Sequence, residues 1–417
     1  MKYALIISLA WLLSACQADP NNETGTVKTG AEVLVEKDFG FLKGKNVGII
    51  TNHTATAGGR HIADVLHEAD EVTVVALFGP EHGIRGDARG RIEFEVDERT
   101  GLPVHSLYGD VRRPTPEMLE GLDVLVFDIQ DIGPRFYTYI STMGMAMEAA
   151  AEAGISFMVL DRPNPLGGEL VEGFVREEGF ESFVGYFPVP VTHGLTIGEL
   201  ALMAKEEGML DGTDDLDLHI VKMENWDRKL LWPDLNLDWS VPSPNIPDFE
   251  TALVYPGGCF FEGTTISEGR GTMEPFILIG APWADSAVLA ENLNARNLPG
   301  LRFEPVTFTP ESITFRGMAA NPKLLGVELK GVRHVITDAY AVRPVETGVH
   351  LLHAFYQQAP DEAKGEFFRK GTLDRLAGTD RLHDMLAAGA SPTGIIASWA
   401  DELHQYDVMR RRYHLYE

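Results

Sequence analysis

Five short stretches of the sequence gather side chains that can move protons or clamp an anion. They are Thr51-Asn52-His53, Pro80-Glu81-His82-Gly83-Ile84-Arg85-Gly86, the run from Asp128 through Gln130, Asp131 and Arg135 to Tyr137, Asp161-Arg162-Pro163-Asn164-Pro165, and the run from Glu262 through Glu268 and Arg270 to Thr272. Glycoside hydrolysis needs two carboxyl groups, one protonated to assist the departing oxygen and one ionised to attack the anomeric carbon or activate water. Glu81 and Glu268 are the candidates for that pair, approaching from opposite sides of a cleft. The arginines of these stretches offer bidentate clamps for a carboxylate on the substrate. A second chemistry stays open, because Asp128, Asp131 and His82 suit a hard or borderline cation and would make a metal-dependent hydrolase. No GxGxxG follows the first strand, and GxxxxGK[ST], GxSxG, HExxH and CxxC are all absent. The expectation is therefore a crevice working without a cofactor and without those familiar catalytic devices.

Each of the first four stretches follows a run that reads as a β-strand. Residues 46–52, 72–79, 123–128 and 156–161 are rich in Val, Ile, Leu and Phe, and 72–79 is almost continuously apolar, as a strand buried on both faces must be. Helical patterns lie between them at 59–68, 115–122, 139–154 and 197–210, with Gly154 placed to cap its helix. Strands alternating with helices predict an α/β fold around a mostly parallel sheet with right-handed crossovers. Ligands of such sheets bind outside the carboxyl ends of the strands, so the four stretches should converge on one crevice. The alternation dissolves into Pro, Asp, Asn and aromatic residues near 232–256, which marks a boundary. Beyond it an α+β pattern follows, with a helix near 284–294 and strands at 276–280, 302–308, 326–329 and 334–342.

Composition narrows the class of protein. The chain has 417 residues, 35 Lys+Arg against 62 Asp+Glu and a formal net charge of −27. So acidic a balance argues against nucleic acid as a partner, since phosphate contacts need clustered Lys and Arg. Lys2, an apolar run to Leu13 and the small residues Ser14-Ala15 before Cys16 describe an export signal. Leu13-Ser14-Ala15-Cys16 resembles a bacterial lipobox, in which Cys16 carries lipid and begins the mature protein. Gln17 after it favours, by the same resemblance, an anchor in the outer membrane facing the periplasm. Residues 1–15 are then the leader and 16–30 a polar tether. They precede a domain over 31–255 and a smaller one over 256–417. Cys259 is left as the one other cysteine, expected to be a buried small hydrophobe.

Six motifs together resemble the bacterial exo-β-N-acetylmuramidase family. They are GPEHGIRG (79–86), DIQDIGPRFYTY (128–139), LDRPNPLGG (160–168), HGLTIGELA (193–201), PSPNIP (242–247) and FEGTTISEGRGTMEPF (261–276). The resemblance implies a Rossmann-like N-terminal domain, a smaller C-terminal domain and an active site in the cleft between them. It also implies release of N-acetylmuramic acid from the non-reducing end of peptidoglycan fragments. Glu81 would be the catalytic acid/base and Glu268 a second carboxylate. His82, Arg85, Asp128, Gln130, Arg135, Tyr137, Asp161, Arg162, Asn164 and Arg270 would line the sugar subsite, with Asn52, Asp131 and Glu262 beside them. A route through the 2-acetamido group of the sugar stays open, since it needs one protein acid and a polar orienter. A lipid-anchored receptor for muropeptides or sugars is the alternative that two lobes around a crevice also fit.

Overall fold

The computed structural model describes residues 25–81, 83–86, 94–314 and 319–417. Cys16, the leader and His82 lie outside the described residues. Among the described residues, twelve strands run in chain order. β1 is Asn46–Thr51, β2 Thr56–Ala57, β3 Arg60–His61, β4 Thr73–Gly79, β5 Phe94–Val96 and β6 Pro103–Ser106. β7 is Val124–Asp128, β8 Ser156–Leu160, β9 Leu218–Val221, β10 Leu278–Ala281, β11 Leu301–Phe308 and β12 Leu329–Ile336. Seven of them form one sheet in the order β5-β6-β4-β1-β7-β8-β9, parallel throughout except where β5 pairs antiparallel with β6 at the edge.

Both faces of this sheet are covered, which is why its central strands are apolar without alternation. Val47, Ile49, Leu77, Val124 and Val126 pack on one side under the helices Gly30–Glu36 and Ile62–His67. Ile50, Phe78, Leu125 and Phe127 face the other side, toward the helix Tyr139–Ala153. That helix ends as the sequence implies, with Gly154 at a φ of 67° where a side chain would be strained.

The smaller C-terminal part is built on an antiparallel sheet in the order β10-β12-β11. Its core is continuous with that of the N-terminal part, since Tyr255, Phe261, Phe276, Val345 and Phe355 share one buried cluster with Phe127 and Ile129. The junction is a close helix crossing. Helix Phe249–Gly258 meets helix Pro344–Gln358 through Gly257 and Gly348, and a Cβ on Gly257 would lie 2.0 Å from the Pro344 carbonyl oxygen. The end of the chain then returns to the first domain, where the Tyr416 hydroxyl donates to Asp161 at 2.5 Å and Tyr406 to the His193 carbonyl at 2.9 Å.

Several expectations change in detail. Residues 27–30 do not belong to a tether: Val27 is buried against Trp226 and Trp232, and Lys28 bridges to Glu224. Position 255 falls inside the helix Phe249–Gly258, which Pro256-Gly257-Gly258 disguises in the sequence. The helix expected over 59–68 is a β2–β3 hairpin followed by the shorter helix Ile62–His67. The two strands expected at 326–329 and 334–342 are one continuous strand, β12, held by β10 and β11 on either side.

Candidate active site

The carboxyl ends of β4, β1 and β7 bring together the residues with unspent chemistry. Glu81 follows β4 and is half-buried. Parallel pairing sets Gly79 opposite Ser106, so the residues two positions beyond each strand end also meet. The Tyr108 hydroxyl accordingly donates to Glu81 Oε1 at 2.9 Å. Burial, with the Glu81 charge added, pushes that hydroxyl up to about 12, so it remains a donor at any working pH.

The loops after β1 and β7 are tied into one unit. Asn52 Oδ1 accepts from the Thr54 amide at 3.0 Å and from its hydroxyl at 2.6 Å, while the Gln130 amide donates to Thr54 Oγ1 at 3.0 Å. Asp131 accepts from the Gly133 amide at 2.7 Å through Oδ2. Gly133 has a φ of 96°, and a Cβ there would sit 2.5 Å from Asn164 Oδ1, so this turn needs glycine. Burial raises the Asp131 carboxyl to about 7. Asp131 Oδ1 is buried without a hydrogen-bond partner, whereas the Tyr137 hydroxyl and the Asn52 side chain both engage Tyr139. Burial holds Tyr137 and Tyr139 well above the ordinary tyrosine range, aided at Tyr137 by Tyr139 and Asp131 and at Tyr139 by Glu81.

An aromatic wall links this unit to the C-terminal part. Tyr139 meets Tyr137 edge-on at 5.1 Å between ring centroids, Tyr137 meets Tyr255 at 6.1 Å, and Tyr255 meets Phe276 at 4.8 Å. Arg270 lies over Phe276 at 5.3 Å and pairs with Glu262 at 2.6 Å. Glu268 is buried and stands 2.7 Å from Lys323 Nζ and 3.9 Å from Arg270 Nε. Lys323 also donates to the carbonyls of Phe261, Thr264 and Ile266, which folds this loop around one ammonium group. The 242–247 segment closes over the other end, where the Val241 and Pro242 carbonyls bond His53 at 2.7 Å and the Tyr139 hydroxyl at 2.9 Å.

Other residues expected in the sugar subsite are engaged within the protein. Arg162 holds both oxygens of buried Asp128, at 2.5 and 3.0 Å, which removes Asp128 from the metal set with Asp131 and His82. Arg85 spans Asp64 and Asp97 with four bonds between 2.7 and 3.2 Å. Arg135 is fully buried and donates to the carbonyls of Phe174, Val189 and Leu376, and desolvation lowers its guanidinium to about 9. Asp161 caps the helix Ile197–Glu206 through Gly198 and Thr196, and burial raises it to about 6. The Gln130 amide is spent on the Asp131 and Pro163 carbonyls, and Asn164 on Leu195 and Leu166. These contacts hold the loops in place, and Arg135 Nε is left without a partner. Cys259 is buried, and desolvation raises its thiol far above the ordinary range, as its hydrophobic role requires.

Four residues that position the site were missed in the sequence. Tyr108 and Tyr139 follow from strand register and the quoted 128–139 motif, whereas Tyr255 and Lys323 carry no local signal.

Comparison with known proteins gives the same picture along the whole chain. The family descriptions "Exo-beta-N-acetylmuramidase NamZ, N-terminal" and "Exo-beta-N-acetylmuramidase NamZ, C-terminal" match residues 47–250 and 253–416. The peptidoglycan beta-N-acetylmuramidase NamZ of Bacillus subtilis is 43% identical over 412 residues, covering 97% of this chain and 96% of that protein. Two crystal structures of DUF1343 family proteins from Bacteroides fragilis superpose with TM-scores of 0.87 and 0.76, at 40% and 33% identity. Each of these comparisons covers 94% of this chain and 99% of the other. With both halves matched in order and the fold shared, the chain belongs to the NamZ family of exo-beta-N-acetylmuramidases.

Proposed function

We propose that this protein is an exo-acting glycosidase that releases N-acetylmuramic acid from the non-reducing end of peptidoglycan-derived fragments. The full-length similarity to the Bacillus subtilis enzyme carries the reading. Glu81 serves as the acid that protonates the departing glycosidic oxygen, with Tyr108 holding its carboxyl in one orientation. Glu268, 2.7 Å from Lys323 and 3.9 Å from Arg270, ties the 261–276 loop to both side chains. Arg270 is the arginine left to meet the lactyl carboxylate, because its side chain is 35% exposed while Arg85, Arg135 and Arg162 are consumed within the protein. Cys16 carries the lipid in this reading, which holds the enzyme at the periplasmic side of the outer membrane, where cell-wall fragments arise.

The test uses the soluble form lacking residues 1–16 and a chromogenic N-acetylmuramic acid β-glycoside. Release by the wild type and a loss of about 10²-fold or more in Glu81→Gln are expected. Saturable binding with no release would instead make the protein a muropeptide receptor. The anchor is tested by whole-cell fractionation of Cys16→Ser, which should move the protein from the membrane to the soluble periplasmic fraction.

A further inference from the structure

The loop after β6 carries two adjacent arginines with different fates. Arg113 pairs with Glu152 at 2.6 Å, on the helix Tyr139–Ala153. Arg112 is exposed, and among the described residues no carboxylate stands within ion-pair distance of it. Its Nε donates to the Gly109 carbonyl at 3.2 Å, and its guanidinium lies 4.5 Å from the centre of the Phe183 ring. The ring and the carbonyl fix the plane of the group. Its two terminal nitrogens have no partner among the described residues, and they form an edge that can grip a carboxylate with two parallel bonds.

This cation stands beside the acid. Tyr108 belongs to the same loop, and its hydroxyl bonds Glu81 at 2.9 Å. Burial and the Glu81 charge raise that hydroxyl, and the Arg112 charge is near enough to pull against them. Tyr108 and Val111 each leave 39% of their surface exposed. One short loop thus offers a ring and an aliphatic side chain for a sugar to cover, and a cation for an anion that the sugar carries.

Strand order sets Arg112 and Arg270 on opposite sides of Glu81. β6 is the neighbour of β4, which Glu81 follows, whereas Tyr137 and Tyr139 follow β7, three strand spacings or roughly 14 Å from β6. Arg270 lies beyond them, past the Tyr255 and Phe276 rings. In the proposed function Arg270 meets the carboxylate of the sugar that is released, so Arg112 lies on the side where the shortened chain departs. N-acetylglucosamine and N-acetylmuramic acid alternate in that chain. The first sugar past the cleaved bond therefore has no carboxylate, and the second has one. We infer that Arg112 binds the lactyl carboxylate of this second sugar, in a leaving-group subsite that it forms with Tyr108 and Val111. The inference rests on the proposed function and deepens it, because turnover then depends on the chain that follows the released sugar.

The test uses the soluble enzyme and two synthetic trisaccharides, both beginning with N-acetylmuramic acid joined to N-acetylglucosamine. The third sugar is N-acetylmuramic acid in one and N-acetylglucosamine in the other, so they differ by one lactyl carboxylate. Release of the first sugar is followed by mass spectrometry. The wild type should favour the substrate with the third-sugar carboxylate by about 10-fold in kcat/KM, with the difference carried by KM. Arg112→Gln should bring the two trisaccharides to the same kcat/KM, and Arg112→Lys should keep part of the preference. A wild type that turns over both alike overturns the inference while the proposed function stands. An Arg112→Gln enzyme that keeps the full preference overturns it too, as does one that loses kcat equally on both, since Arg112 would then act through Tyr108 and Glu81. Failure of the wild type to release N-acetylmuramic acid from either trisaccharide overturns the proposed function instead. The wild-type comparison needs no variant, so it decides the matter even if Arg112→Gln does not fold.

Discussion

Replacing Arg162 by methionine separates a structural arginine from a substrate-binding one. The Asp128 side chain is fully buried, and both of its oxygens depend on Arg162, at 2.5 and 3.0 Å. Removing one partner of a buried pair leaves an uncompensated charge and costs about 3–5 kcal/mol. The Thr56 carbonyl also loses its 3.2 Å bond to Arg162, a smaller loss of about 1 kcal/mol. Against a total stability on the order of 5–15 kcal/mol, this is about a quarter or more of the margin. Urea unfolding followed by circular dichroism should show Arg162→Met with a much lower midpoint. Asp128→Leu/Arg162→Met should recover part of it, because an apolar pair leaves no buried charge. A wild-type midpoint combined with a large loss of activity would refute the reasoning and return Arg162 to the substrate.

Three further outcomes are expected. Gly257→Ala drives a methyl group to 2.0 Å from the Pro344 carbonyl oxygen, so the helix crossing must open. Thermal unfolding should show a loss of about 1–3 kcal/mol, and an unchanged melting temperature would contradict the close approach. Burial raises the Glu172 carboxyl from 4.5 to about 8, while its Oε2 accepts the Val345 amide at 2.9 Å. Its folded pKa lies above its unfolded one, so its contribution is fully present below about pH 4.5 and is lost as pH rises through about 8. Relative to Glu172→Gln, which keeps an acceptor for Val345, the wild type should lose stability between pH 5 and 9 in melting experiments. A constant difference across that range would count against the buried ionisation. Tyr108→Phe removes the hydroxyl bonded to Glu81 and should lower kcat by about 3–10-fold while leaving KM and the melting temperature near wild type. A larger change in KM than in kcat would argue against orientation of the acid.

The sheet was legible because its strands are buried on both faces. Continuous apolar runs such as Val124–Asp128 admit few other readings when polar turns bound them. The helix Phe249–Gly258 was not, because Pro256 and two glycines belong to its crossing with Pro344–Gln358 and not to its own propensity. The place proposed for the site could be read for the same reason as the strands, since polar residues just past buried strands face the sheet edge. The division of labour among those residues was not. Arg135, Arg162 and Asp161 look like ligand-binding groups by type, but their partners are supplied by residues 34 to 255 positions away in the chain. Lys323 shows the converse, a lone lysine whose partners at Glu268 and three carbonyls exist only after folding.

The most direct test of exo-acting muramidase activity is product analysis on defined, peptide-free peptidoglycan chains. One set begins with N-acetylmuramic acid at the non-reducing end and the other with N-acetylglucosamine. Mass spectrometry after incubation with the soluble enzyme should find free N-acetylmuramic acid, and a chain shorter by one sugar, from the first set only. Glu81→Gln should give neither. Disaccharide products from the interior of either chain, or equal turnover of both sets, would contradict the account.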